Sequence, residues 1–213
     1  MPEPSTPRGR ERKARIISVA AALMYERGVK ATSVNDVLAA SSTGKSQFYH
    51  YFTDKQALIL EVLSHQLELI LEEQSRFPLD SWAGIDAWFQ TMLEMHESRW
   101  DLRGCPLGSV AAEVTEQGEP LRISAAAAFH RWESALAAAL DAMRRRGELD
   151  DVADPSALAE AVVAIIQGGY LLSSVKRDLR PMRAALQAAL AHLQSHASAR
   201  GEPNSTPSET RCY

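Results

Sequence analysis

Lys45, Ser46, Gln47, Tyr49 and His50 stand almost side by side, and Lys55 follows shortly after. These side chains suit contact with a nucleic acid. Lys45 can reach guanine acceptors or a phosphate. Gln47 can bond an adenine edge through both amide atoms, and Ser46 is small enough for close backbone approach. Tyr49, His50 and Lys55 can each reach a phosphate. A second set is aromatic and soft: Trp88, Phe89, Met92, His96, Phe129 and Trp132, with Cys105 and Gln167 as further ligand-binding candidates. Trp88, Met92 and Met95 recur on one helical stripe, as do Phe89, Met92 and His96. Such a stripe builds either plain core or the wall of a ligand site between helices. As a site it favours planar or hydrophobic ligands, and cations if an acid lies near.

Cys105 carries two readings of its own. It precedes Pro106 and so lies near a helix N-terminus, where the dipole lowers a thiol's pKa and permits sensing of electrophiles or oxidants. It is equally a small buried hydrophobe. His96 and His130 could pair with it for nucleophilic chemistry. No third orienting group has recognisable spacing, so no catalysis is expected. The scattered histidines make no metal site, and no cofactor is implied.

These residues need helices to position them. The chain has 213 residues, of which 33 are alanine, and β-branched runs are scarce, a composition that favours helix. Pro78, Pro106, Pro120, Pro155 and Pro181 each fall where a helical pattern starts or stops, as proline must. Gly28, Gly118 and Gly147 follow polar helix ends as C-terminal caps would. The pattern predicts an all-α chain of about nine helices, near Arg10–Arg27, Ser33–Ala40, Lys45–His50, Asp54–Arg76, Leu79–Arg99, Leu107–Gln117, Glu119–Arg146, Pro155–Ser174 and Arg180–Ala199. Asp154 before Pro155 is a strong helix start. Residues 1–8 and 200–213 are rich in Pro, Ser and Thr and read as disordered arms.

The segment Thr32–Leu58 then has a definite layout. Thr32 or Ser33 caps a helix carrying Val34, Val37 and Leu38. A polar turn, Ser41-Ser42-Thr43-Gly44, leads to a short helix with Phe48 and Phe52 facing inward and the polar set facing out. A short helix, a tight turn and a second helix with a polar outer face form a helix-turn-helix, whose second helix enters the major groove. The candidate contact set is therefore Thr32, Ser33, Thr43, Gly44, Lys45, Ser46, Gln47, Tyr49, His50 and Lys55. The ring of Tyr49 is expected to pack while its hydroxyl faces phosphate.

Charge supports this division. The net charge of −4 argues against a nucleic-acid partner only until the chain is cut. Residues 1–60 carry +4 and residues 61–213 carry −8, which reads as a basic binding module on an acidic body. The two cysteines, Cys105 and Cys212, form neither a disulfide framework nor a zinc pattern, so a reducing cytoplasm is the default. No secretory leader is visible. The most apolar stretch, Ala157–Val175, contains Glu160, Gln167, two glycines and two serines, and reads as a buried helix rather than a membrane span.

Here the sequence resembles the TetR/AcrR family of one-component bacterial transcriptional regulators. The family's pattern is matched without a gap at Thr32, Val34, Asp36, Val37, Ala40, Phe48, Tyr49, Phe52, Lys55, Ala57 and Leu58. The chain departs at Ser42, where a turn glycine is usual, at Gly44, where a serine usually caps the recognition helix, and at Ser46, usually glycine. A strained or re-aimed turn is the expected consequence. Gly104–Glu113 and Gln167–Leu172 with Arg177-Asp178 resemble the LmrA/YxaF-like subgroup. The resemblance implies a three-helix DNA-binding domain over residues 9–55 and a ligand-binding and dimerisation domain over 56–199.

The dimer is expected to come from the last two helices, through Val162, Ile165, Ile166 and Gly169 with Leu186, Leu190 and Leu193. Gly168-Gly169 inside a helix costs ~1 kcal/mol each relative to alanine, tolerable where backbones approach closely across a seam or beside a ligand. The function implied is a homodimeric repressor of its own or a neighbouring efflux or detoxification gene, released from a near-palindromic double-stranded operator by a small effector. A thiol-sensing regulator through Cys105 and a helical adaptor that binds no DNA are the alternatives.

Overall fold

Helix boundaries follow from local chemistry at almost every end. The computed structural model describes Pro4 and residues 6–99 and 103–198. Among these, nine helices and no strand occur: α1 (Pro7–Arg27), α2 (Val34–Ser41), α3 (Lys45–Tyr51), α4 (Lys55–Gln74), α5 (Trp82–Arg99), α6 (Pro106–Val114), α7 (Glu119–Arg145), α8 (Pro155–Lys176) and α9 (Arg180–Gln194). The all-α expectation holds, and most ends lie within three residues of the sequence reading.

Ser33 and Asp36 cap α2 reciprocally, each side chain bonding the other's backbone N–H, which satisfies two donors the helix cannot. Asp54 accepts from Ala57 N at 2.8 Å and Asp154 from Ser156 N at 2.9 Å. Gly28 ends α1 at φ 91°, a conformation open to glycine at little cost. Four ends differ from expectation by three residues or more: α5 starts at Trp82 rather than Leu79, α9 stops at Gln194 rather than Ala199, and two others have a local cause. α1 begins at Pro7, because Thr6 Oγ1 accepts from Gly9 N at 3.1 Å, so Pro7 and Arg8 are helical. α6 stops at Val114, and Gly118 starts α7 instead of closing α6. The tail beyond residue 198, most of the first five residues and Trp100 lie outside the described residues.

One apolar core runs through the molecule from Ile16 to Leu193. In the N-terminal part, Ile16, Ala20 and Met24 of α1 pack with Val37, Phe48 and Phe52 and with Leu58 and Val62 of α4. Each such side chain contributes about 1.5–3 kcal/mol on burial. α4 continues into the C-terminal part and packs on α7. There α8 is sandwiched between α7 and α9.

This packing corrects the expected subunit seam. Val162, Ile166, Leu186 and Leu193 are 0–2% exposed, and Gly169 is also buried. These five hold α8 against α9 inside the protomer. A Cβ at Gly169 would stand 2.8 Å from both Ala185 Cβ and Met182 Sδ, so this glycine serves the internal helix crossing. Ile165 and Leu190 are half-buried. The strongest apolar row belongs to the protomer's own core, because that core needs it first. The face of α8 left open carries Leu171, Leu172 and Val175, 63%, 47% and 72% exposed. The apolar stretch predicted to be a buried helix is therefore buried on one side only.

Candidate nucleic-acid interface and ligand cavity

Alternation around α3 separates its two faces. Phe48 and Phe52 are buried, with ring centroids 5.1 Å apart. Gly44, Lys45, Ser46, Tyr49 and His50 are exposed, and Gln47 is half-buried. Tyr49 sets its ring edge-on to Phe48 at 5.3 Å, the packing expected of the ring, while 47% of the residue stays open. The turn that aims α3 is unusual. Ser42 sits in the left-handed region at φ 52°, ψ 42°, where a side chain costs about 1–2 kcal/mol. Gly44 starts α3 with no side-chain cap.

Four of the ten expected contact residues also serve the fold. Thr32 is buried and its hydroxyl donates to Gly28 O at 2.9 Å. Thr43 is buried, donating weakly to Ser41 O at 3.4 Å. Lys55 donates to Val29 O at 2.6 Å, so its ammonium is already engaged by the turn before α2. Ser33 is exposed but committed to the cap. The first turns of α1 add what the sequence reading counted only as charge. Arg8, Arg12 and Arg15 are exposed. A Cβ placed on Gly9 would lie 3.8 Å from Tyr51 Oη, so these arginines begin beside the C-terminal end of α3.

Behind this module lies a cavity of about 280 Å³, near the lower end of the range for small-molecule sites. Of the expected lining, Trp88, Met92, His96, Cys105 and Trp132 face it. Phe89 and Phe129 stand behind, tilted against Trp88 at 5.0 Å and stacked on Trp132 at 6.3 Å. Gln167 does not line it. Its amide lies beside the Cys105 thiol, and its Oε1 lies 2.3 Å from where a Gly108 Cβ would be, so it occupies the α6–α8 contact. Tyr25, Gln66, Leu69, Ile70, Glu73, Met95, Gly104, Pro106 and Tyr170 complete the wall. Gln66, Leu69, Ile70 and Glu73 follow the i, i+3, i+4, i+7 spacing of one helix face, a signal present in the sequence but masked by its polar ends.

Burial governs the titrating groups of this wall. It pushes the Tyr170 phenol far above its ordinary value. It likewise raises the Cys105 thiol, with the Gln167 amide and the Gly108 and Leu107 backbone N–H groups pulling back less strongly. Cys105 is 4% exposed and its Sγ accepts from Gly108 N at 3.4 Å. A buried, protonated thiol is a poor nucleophile, which removes the helix-dipole ground for a sensor. The His96 ring meets the Tyr170 ring at 5.0 Å and its Nδ1 lies 2.6 Å from Met92 O.

Cavity and N-terminal module are joined by α6. Gly104, Cys105 and Pro106 at its start line the cavity, and Gly104 O accepts from Tyr25 Oη of α1 at 2.8 Å. At its other end Glu113 accepts from Lys30 N at 3.2 Å, in the turn that Lys55 and Thr32 also hold.

Comparison with known proteins agrees with this layout. Residues 16–62 match the bacterial regulatory proteins of the tetR family, and residues 81–188 match the C-terminal domain of LmrA/YxaF-like transcriptional regulators. An HTH-type transcriptional regulator of Lactococcus lactis is 30% identical over 80% of this chain and 87% of its own. The chain belongs to the TetR family of transcriptional regulators. Within the family, LmrA of Bacillus subtilis is 27% identical over 80% of this chain and 90% of its own. The reduced form of Escherichia coli NemR superposes with a TM-score of 0.76 at 22% identity, covering 88% of this chain and 97% of NemR. A TetR regulator of Rhodobacter sphaeroides gives 0.72 at 21%, covering 84% and 97%. TetR-family membership makes the chain a DNA-binding transcriptional regulator.

Proposed function

We propose that the protein is a homodimeric repressor that leaves a near-palindromic operator when a small aromatic ligand enters its cavity. It would act in the cytoplasm on its own or a neighbouring gene. The observation that carries this reading is the pairing of a polar α3 face, with Lys45 and Ser46 exposed and Gln47 half-buried, with a cavity whose wall, α6, also holds the turn before α2. The open face of α8 suits a second copy. Leu171, Leu172 and Val175 would lose their exposure, and a Cβ on Gly168 meets nothing within 4 Å in the protomer, leaving room for a partner backbone. A twofold pair places two copies of α3 on successive major grooves, one helical turn apart.

A ligand that widens the cavity would push α6 and, through Glu113 and Tyr25, tilt the N-terminal module. It can shift the equilibrium only by its differential affinity for the two states. A reporter driven by the gene's own promoter tests the reading. Deleting the regulator should raise expression, and Gln47→Ala should do the same with the protein still folded. Expression that falls on deletion would make it an activator instead.

A further inference from the structure

A groove of about 430 Å³ lies where α4 ends, walled by Gln74, Phe77, Leu79 and Asp80 on one side and by Ala135 and Ala139 of α7 on the other. It shares no residue with the ligand cavity. Leu79 is buried, Phe77 half-buried and Ala135 exposed, so the walls are largely apolar and open to solvent. Gln74 is the exception. It is 4% exposed, and both polar atoms of its side-chain amide are buried with no hydrogen-bond partner among the described residues. Leaving such a group unmet costs stability. One acceptor and one donor side by side match the N–H and C=O of a single extended residue, which point to the same side of a strand.

The chain's own C-terminal part runs toward this groove. Ala197 pairs antiparallel with Leu149. Asp150 N donates to His196 O at 2.9 Å and Ser198 N donates to Glu148 O at 3.0 Å. The backbone past α9 therefore travels in the direction from Asp150 to Arg146. The Arg146 guanidinium meets both Glu148 Oε1 and Asp80 Oδ2 at 2.9 Å, and Asp80 belongs to the groove wall. Residues 199–213 follow Ser198. The eight that lead to Thr206 reach up to about 26–29 Å, close to the diameter of a small domain. Pro203 and Pro207 bias Glu202 and Thr206 toward the extended region, and prolines suit a groove with an aromatic wall, here Phe77. Arg200 and Arg211 balance Glu202 and Glu209, and the Asp80 carboxylate is already paired, so charge does not oppose the approach.

We propose that residues 199–213 bind back onto their own chain, laying the segment 202–207 along this groove with one backbone N–H and C=O bonded to the Gln74 amide. The strap would tie the end of α4 to α7. Tethering supplies an effective concentration on the order of 1 mM. A segment with an intrinsic Kd of about 0.1 mM would then be docked roughly ten to one.

Amide hydrogen exchange in the full chain, read by NMR, tests this. At ten-to-one docking, at least one of the Asn204, Ser205 and Thr206 amides should exchange about tenfold more slowly than in a free peptide of residues 199–213. Gln74→Leu should return it to the free rate. Ala135→Arg, at an exposed position, should do the same by filling the groove without touching the core, so a folding defect in the first variant leaves the test intact. Free rates in the unaltered chain overturn the proposal. Protection that survives both variants overturns it, as does protection that grows with protein concentration, the mark of one copy's tail seated on another. A saturation-transfer signal from 2-quinolone that Gln74→Leu abolishes, with the tail at its free rate, would give the groove to a small lactam instead.

Discussion

The turn before the recognition helix offers a sharp energetic test. Gly44 begins α3 at φ −74°, ψ 150° with no side-chain cap, and a Cβ there meets nothing within 4 Å. Gly44→Ser therefore enters a conformation that serine adopts freely. It removes unfolded-state freedom, worth about 0.4–1 kcal/mol, and adds a capping hydroxyl worth a few tenths more over glycine. The sum is about 1 kcal/mol, or a rise in Tm of roughly 2–4 °C for a protein of this length. Ser42 behaves differently. Its φ of 52° makes Ser42→Gly nearly neutral, since relief of left-handed strain of about 1–2 kcal/mol is offset by the flexibility that glycine adds to the unfolded chain. Ser42→Val should cost more than 1 kcal/mol, because a β-branched side chain tolerates that region worst. Thermal unfolding by circular dichroism reads all three. A Gly44→Ser variant no more stable than the parent, or a harmless Ser42→Val, would refute the account of this turn.

Further consequences follow from the packing. Gly169→Ala should destabilise by about 1–3 kcal/mol by overpacking against Ala185 and Met182, read by urea unfolding, whereas Gly168→Trp should fold normally and sediment as a monomer; a persistent Gly168→Trp dimer would exclude the open face of α8 as the seam. In a Cys212→Ser background, Cys105 should react with a thiol reagent far more slowly in the folded protein than in urea, and equal rates would restore the sensor reading. The Asp36 carboxyl is held below its usual range by the Ser33 hydroxyl and backbone N–H. Its folded pKa is depressed, so the cap's contribution is complete above the unfolded value of about 3.9 and disappears as pH falls through the folded one. Asp36→Asn should flatten that acid limb in a pH series of Tm.

Helices and their caps were legible in the sequence because they are set by neighbours in the chain. Asp154-Pro155 and Thr32-Ser33 announce helix starts locally, and the Phe48–Phe52 pair announces the buried side of α3. The lining was legible where it was aromatic or sulfur-bearing, as at Trp88, Met92 and Trp132. It was hidden where polar residues face a cavity: Gln66 and Glu73 look like ordinary surface positions on an amphipathic helix until α5, α6 and α7 close over them. Five of the seven expected seam residues are buried within the protomer for a related reason. Apolar periodicity marks a buried face without saying whether the same chain or a second copy buries it, and Val162, Ile166 and Leu186 are claimed by the protomer. Lys55 and Thr32 show the same limit for polar groups, since only the fold reveals the carbonyls of Val29 and Gly28 that they serve.

The central claim is tested most directly by binding of the purified protein to its own promoter DNA across a salt series. Lys45 with Arg8, Arg12 and Arg15 of α1 provides about eight phosphate contacts in two copies, which predicts tight binding at 50 mM salt that weakens about ten-thousandfold by 200 mM. Gln47→Ala should lose about 1–3 kcal/mol of preference for that promoter over unrelated DNA and keep the same salt slope. No binding at 50 mM salt, or an affinity indifferent to salt, would contradict the account.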